Sequence, residues 1–127
     1  MKVLFDTHTL IWFIEGIDKL SLKAKSEIEN LNNERFVSTV SLWEIAIKSS
    51  RNKLELKKTF KEIIQSILDN DIQIITVQLS HLNVLLTLEH HHGDPFDRLL
   101  IAQGIAEDMT ILSADQHFGP YPVRVTW

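Results

Sequence analysis

Four carboxylates stand where this chain could hold a metal ion, each at a predicted strand end or helix start. They are Asp6, Glu44, Asp97 and Asp115. If all four face one edge of a sheet, their like charges repel, and at least one carboxyl group must stay protonated. A divalent cation resolves that conflict, and oxygen-rich sites suit Mg²⁺ or Mn²⁺.

The chemistry that fits such a site is phosphoryl transfer. A divalent ion polarises a phosphate and activates a bound water as the nucleophile. A ring of acids also repels a phosphodiester backbone unless metal is present, so the metal would serve substrate binding as well as catalysis. The sequence has no glycine-rich phosphate loop, which argues against a nucleoside-triphosphate enzyme.

Strands and helices alternate along the chain and must position these acids. The apolar runs predict strands at residues 2–6, 36–40, 72–77 and 110–113, and an edge strand at 123–127. This alternation predicts one α/β domain, residues 1–127, with a mostly parallel sheet and helices on both faces. In such sheets ligands bind beyond the carboxyl ends of the strands, where all four acids are expected.

Two helix starts carry capping signals. Ser41 and Glu44 have the spacing of a capping box, which predicts a helix beginning at Ser41. Asp94 followed by Pro95 is typical of a cap and the first helical position. Asp97 then falls in the first turn of a helix that continues with a buried apolar block.

The segments around the acids resemble the acidic motifs of a known family, the PIN domains, and in particular the VapC-like toxins of toxin–antitoxin pairs. They are Phe5-Asp6-Thr7-His8, Ser41-Leu42-Trp43-Glu44, Asp94-Pro95-Phe96-Asp97-Arg98 and Leu112-Ser113-Ala114-Asp115. The resemblance covers essentially the whole chain. It implies a three-layer α/β/α sandwich with a mostly parallel central sheet, Mg²⁺-dependent endoribonuclease activity on RNA, homodimerisation and inhibition by a cognate antitoxin.

The same resemblance implies roles for single residues. The four acids match the catalytic and metal-binding residues of the family: Asp6, Glu44, Asp97 and Asp115. Ser113 matches the hydroxyl that supports the last acid. Asp94 is an additional acid, interpreted as a helix cap and a candidate outer-shell ligand.

Several cationic side chains are candidates for supporting roles. Lys48, Arg51 and Lys53 lie in a basic segment that is either a solvated surface or a strip contacting the RNA backbone. Arg98 either steadies a phosphate or forms an ion pair with Asp94. The run of three histidines ending at His92 is interpreted as a solvated loop, with His92 near the acids or the RNA.

Composition excludes several classes of protein. The net charge of −4 argues against a non-specific nucleic-acid binder, so RNA binding must rest on local positive charge or on bound cations. The absence of cysteine excludes disulfides and thiolate metal sites. The N-terminus is charged too early for a signal peptide, and no apolar run approaches the roughly 20 residues of a membrane span. We therefore expect a cytoplasmic protein that does not bind membranes.

Two other functions stay open. In a non-enzymatic binding or assembly module, the acids would be helix caps, with Glu44 completing its capping box or pairing with Lys48. In an aspartyl-phosphate phosphatase, Asp6 would be the covalent nucleophile, since an aspartate at a strand end suits that chemistry. His8 stands where that class usually has a second acid, which disfavours the phosphatase.

Overall fold

A five-stranded parallel sheet in the order β3-β2-β1-β4-β5 forms the centre of the computed structural model, which describes residues 1–127. The strands are β1 (Lys2–Phe5), β2 (Glu34–Ser38), β3 (Gln73–Ile75), β4 (Thr110–Leu112) and β5 (Val125–Thr126). The helices are α1 (Thr7–Glu15), α2 (Leu22–Glu29), α3 (Thr39–Ser50), α4 (Phe60–Asp69), α5 (Leu79–Thr87) and α6 (Pro95–Ala106), with a 3₁₀ helix at Gln116–Phe118. None of them is both long enough and apolar enough to cross a membrane.

Two hydrophobic clusters, one on each face of the sheet, make the fold a three-layer sandwich. In β1, Val3 and Phe5 pack into one cluster, with apolar residues of α1, α2, α3 and α4. Leu4 points to the opposite face and packs with Leu100 and Ile101 of α6. This alternation is the period of a strand covered on both sides. The predicted α/β class and sandwich architecture are confirmed.

The central strands β1 and β4 end side by side. Their register pairs Phe5 with Leu112, and the N–H of Asp6 donates to the carbonyl of Leu112 at 3.1 Å. Asp6 directly follows β1 and Ser113 directly follows β4, so these two residues lie side by side at the same edge of the sheet. This edge is the carboxyl edge at which ligands bind in parallel sheets.

Several predicted boundaries are wrong: β2 is Glu34–Ser38 instead of residues 36–40, β5 is Val125–Thr126 instead of 123–127, and α3 and β3 also differ. α3 begins at Thr39, and Ser38 caps it by accepting from the N–H of Val40 at 3.0 Å, so Ser41 and Glu44 do not form the predicted capping box. Glu44 instead lies in the second turn of α3. β3 is shorter than residues 72–77 because it pairs only with β2, and that ladder ends where β2 ends.

Candidate active site

Asp6 and Asp115 are joined through the hydroxyl of Ser113. One carboxylate oxygen of Asp6 caps α1 by accepting from the N–H of Thr9 at 2.8 Å, and the other accepts from the Ser113 hydroxyl at 2.5 Å. The Ser113 oxygen in turn accepts from the N–H of Asp115 at 3.0 Å. Burial raises the pKa of Asp6, although these hydrogen bonds oppose the rise. The serine thus braces a buried carboxylate and the segment that carries a second one.

Asp115 starts the 3₁₀ helix. Its carboxylate accepts from the N–H of His117 at 2.9 Å and lies 2.8 Å from Nδ1 of the same histidine. Asp6 and Asp115 line a cavity of about 300 Å³ together with His8, Trp12 and Ala114. This side of the site therefore offers carboxylate oxygens to a space that can admit a ligand.

Glu44 reaches the same edge from α3. Its side chain is buried, Oε1 accepts from the Thr7 hydroxyl at 2.7 Å, and Oε2 pairs with Nζ of Lys48 at 2.6 Å. The hydrogen bond that Lys48 donates to Glu44 raises the pKa of Lys48, and the charges of Glu44, Asp94 and Asp97 add to the rise. Glu44 and Lys48 therefore lie in the field of the acids at the start of α6.

Asp94, Asp97 and His92 form a compact group at the start of α6. Asp94 caps the helix, as predicted, by accepting from the N–H of Asp97 at 3.0 Å. Oδ2 of Asp97 lies 2.9 Å from Nε2 of His92. Desolvation raises the pKa of Asp97 to about 6, and the charges of Asp94 and Glu44 add to the rise, whereas the hydrogen bond to His92 opposes it.

The four predicted acids share one edge of the sheet without forming one tight cluster. No three of them offer ligand atoms within 4.8 Å of one another; the group that does so is His92, Asp94 and Asp97. The two sides are connected by stacked histidines, since the rings of His92 and His117 lie 4.4 Å apart at 7°. One ring contacts Asp97 and the other contacts Asp115.

Sequence reasoning missed the roles of Thr7 and His117. Thr7 lies 2.7 Å from Glu44 and 3.0 Å from Oγ of Ser41, so it links α1 to α3. The sequence feature that could have indicated the role of Thr7 is its position directly after Asp6. His117 stands two residues after Asp115, which is the spacing of an Asx turn back to the carboxylate.

Arg98 does not form the predicted ion pair with Asp94. The side chain is 7% exposed, and the ion pair with Asp94 is absent. Its guanidinium instead donates to three neutral oxygens: the carbonyls of Leu88 and Glu89 and the hydroxyl of Tyr121. That hydroxyl also accepts from the N–H of His92 at 2.8 Å. Arg98 therefore braces the loop that carries His92, and its contact with a phosphate stays a prediction.

Helix N-termini surround the acids and offset part of their repulsion. α1 and α6 begin directly after their caps Asp6 and Asp94, and the first turn of α6 contains Asp97. The positive end of each helix dipole stabilises a nearby carboxylate. Lys48 is the cation that forms an ion pair with one of these acids, Glu44. Arg51 and Lys53 are exposed, and their contact with RNA stays a prediction. Carboxylate oxygens with few cations are a donor set that fits Mg²⁺ or Mn²⁺.

Comparison with known proteins identifies the family. The profile of the PIN domain matches residues 3–122, nearly the whole chain. This chain belongs to the PIN-domain family. The comparison with curated protein sequences found no match.

Solved structures share the fold of this PIN domain. VapBC2 from Rickettsia felis, bound to a DNA fragment from its promoter, is similar with a TM-score of 0.77 and 19% identity, over 100% of this chain and 99% of that chain. FitAcB from Neisseria gonorrhoeae is similar with a TM-score of 0.66 and 15% identity, over 98% of this chain and 96% of that chain. Because the sequence identities are only 19% and 15%, these structural similarities establish the fold of this chain alone.

Proposed function

We propose that this PIN-domain protein is a metal-dependent endoribonuclease and the toxin of a toxin–antitoxin pair. The observation that carries the proposal is the gathering of carboxylates from four parts of the chain at the carboxyl edge of the sheet. Asp6 and Asp115 come with β1 and β4, Glu44 comes with α3, and Asp97 comes with α6. PIN domains are generally nucleases, which agrees with this arrangement.

Asp6, Asp115, Asp97 and Glu44 are the residues that would hold a divalent ion. When bound, Mg²⁺ or Mn²⁺ would polarise the scissile phosphate and activate a water molecule for attack. Ser113 fixes the orientation of the Asp6 carboxylate beside the cavity, and Thr7 fixes the orientation of the Glu44 carboxylate. Lys48 offsets the charge of Glu44, which lowers the repulsion that an incoming phosphodiester meets.

The phosphatase alternative receives no support from the surroundings of Asp6. Both of its carboxylate oxygens accept hydrogen bonds, one from the N–H of Thr9 and one from the hydroxyl of Ser113. Such donors stabilise the carboxylate charge and reduce its reactivity as a nucleophile.

A cleavage assay on the purified chain tests the nuclease. Single-stranded RNA is incubated with Mg²⁺ or Mn²⁺, with and without chelator, using the wild type, Asp97→Asn and Asp18→Asn. We expect the wild type and Asp18→Asn, a change at an exposed surface acid, to cut RNA only with metal. Asp97→Asn should lose more than about 100-fold in rate, since loss of a ligand exceeds the effect of losing its outer partners. Cleavage that survives both chelator and Asp97→Asn would refute the proposal.

An antitoxin partner is part of the same proposal. The similarity to VapBC2, a complex that also carries promoter DNA, supports it. We expect a short reading frame beside this gene to encode a DNA-binding protein. Co-expression with that protein should yield a stable complex whose RNA cleavage is suppressed. Full cleavage in the presence of the isolated partner would count against the pairing.

Homodimerisation is the last part of the proposed function. Large apolar side chains are exposed on α5, where Leu79 is 79% and Leu86 is 85% exposed, and Trp43 of α3 is 57% exposed. Exposed apolar side chains of this size commonly mark contacts with other proteins. Light scattering on the purified chain should give the mass of two chains, and Leu86→Lys should shift it toward one. A wild-type mass of one chain at high concentration would exclude the dimer.

A further inference from the structure

Donor atoms of two chemical kinds gather at the start of α6. A nitrogen of His92 and carboxylate oxygens of Asp94 and Asp97 all lie within 4.8 Å of one another. Nε2 of His92 and Oδ2 of Asp97 are 2.9 Å apart. Adjacent ligands of an octahedral ion with bonds of about 2.1 Å lie about 3.0 Å apart. The imidazole and the carboxylate therefore already have the spacing of neighbouring ligands.

Both the backbone and the ring of His92 are held in position. The backbone N–H of His92 donates to the hydroxyl of Tyr121 at 2.8 Å, and the buried Arg98 donates to the same hydroxyl at 3.2 Å. The ring itself stacks on His117 at 4.4 Å. A donor fixed in advance loses little freedom when it binds an ion, which favours affinity.

The carboxylates beside His92 have no other cation in contact. Lys48 forms its ion pair with Glu44 at 2.6 Å, and the donors of Arg98 are directed at neutral oxygens. Asp94 and Asp97 thus place two negative charges next to one imidazole.

We propose that His92 is a nitrogen ligand of the divalent ion, beside Asp97 and Asp94, and that this mixed donor set makes the centre prefer Mn²⁺ to Mg²⁺. The inference rests on the divalent ion proposed above. Imidazole suits transition metals, whereas Mg²⁺ takes oxygen ligands and keeps its waters. Nε2 would offer its lone pair to the ion in place of its hydrogen bond with Asp97, with the proton of the neutral ring on Nδ1.

Electron spin echo spectroscopy of the Mn²⁺-loaded full chain tests this assignment without measuring activity. A nitrogen ligand modulates the echo of the bound ion. We expect ¹⁴N modulation in the wild type and its replacement by the ¹⁵N pattern when the protein is made with ¹⁵N-histidine. This labelled wild-type sample needs no substitution, so its result does not depend on the folding of a variant.

Variants identify which histidine is responsible. His92→Gln should abolish the ¹⁴N modulation and weaken Mn²⁺ binding in calorimetry at least about tenfold, with a change of less than about threefold for Mg²⁺. His91→Gln is the matched control, since His91 contacts Glu89 and the ring of Tyr121 and not Asp97, and it should leave the modulation intact. Loss of modulation in His117→Gln, with His92→Gln unchanged, would overturn the assignment.

The outcomes separate this inference from the proposed nuclease. Bound Mn²⁺ without histidine modulation overturns the role of His92 and leaves the carboxylate site and its RNA cleavage in place. Equal binding of Mg²⁺ and Mn²⁺ by the wild type overturns the preference. The absence of any divalent-ion binding in calorimetry would overturn both the inference and the metal-dependent function.

Discussion

On one side of the candidate site, Asp6 is held by neutral donors, whereas on the other side Asp97 is held among charges. The Asp6 carboxylate accepts from the N–H of Thr9 and the hydroxyl of Ser113. Asp97 has one close partner, the ring of His92, and it faces the negative charges of Asp94 and Glu44. Both carboxyl groups have raised pKa values, but repulsion contributes only at Asp97.

This difference indicates where an ion would change the protein most. Hydrogen bonds from neutral groups stabilise the Asp6 carboxylate without any cation. At Asp97 the repulsion persists until a cation arrives, so ion binding should relieve it and stabilise the fold as well. The Asp6 side is therefore prepared by hydrogen bonds, and the Asp97 side couples metal affinity to stability.

Removing the charge at Asp97 should give the largest change in stability. Because the pKa of Asp97 is raised in the folded chain to about 6, the folded state binds this proton more tightly than the unfolded state. The stabilisation by the bound proton is fully present below about pH 4 and is lost as the pH rises through 6. With solvent screening of this partly exposed carboxyl group taken into account, the loss at neutral pH is about 2–3 kcal/mol. After the lost contact with His92 is discounted, Asp97→Asn should raise the free energy of unfolding of the metal-free protein at pH 7 by about 2 kcal/mol.

Urea unfolding at two pH values measures this effect. The difference between Asp97→Asn and the wild type should nearly vanish at pH 4, where the wild-type carboxyl group is protonated. Added Mn²⁺ should stabilise the wild type at pH 7 and have little effect on the variant. A variant less stable than the wild type at pH 7 would contradict the contrast between the two sides.

Removing the brace at Asp6 should change stability in the opposite direction. Ser113→Ala takes away the hydroxyl that donates to Asp6 and accepts from the N–H of Asp115. A buried carboxylate left without this donor should cost about 1–2 kcal/mol of unfolding free energy. Thermal and urea unfolding at pH 7 measure the loss, with Ser80→Ala on the exposed surface of α5 as the control. An unchanged stability in Ser113→Ala would show that the brace does not hold Asp6.

The smallest effect is expected from the basic segment at Arg51 and Lys53, which belongs to neither the Asp6 side nor the Asp97 side of the site. The double variant Arg51→Ser/Lys53→Ser removes two exposed cations and should leave stability unchanged. If both contact RNA phosphates, the slope of log affinity against log salt should fall by about 1.4, at about 0.7 for each phosphate of a single strand. Filter binding of RNA to an Asp97→Asn background measures the slope, with Lys2→Ser/Lys23→Ser as the control. An equal slope in both double variants would assign the basic strip to the solvated surface.

Local patterns account for most of the fold and for the identity of the acids. The apolar runs at residues 2–6 and 110–113 predicted the central strands, and Asp94-Pro95 predicted the cap of α6, because each depends on a few neighbouring residues. The start of α3 was wrong because two serines could cap it. Ser38 was the one free to do so, since Ser41 packs against Thr7 of α1, more than thirty residues away.

By itself, the sequence determined which residues could hold a divalent ion and that a parallel sheet would carry them to one edge. Only the tertiary structure decided their partners: Ser113 for Asp6, Lys48 and Thr7 for Glu44, and His92 for Asp97. It also turned Arg98 inward, toward two backbone carbonyls and the Tyr121 hydroxyl and away from the predicted pairing with Asp94. The physical reason is that strand periodicity and capping are local, whereas hydrogen bonds between distant segments depend on how the helices pack against the sheet.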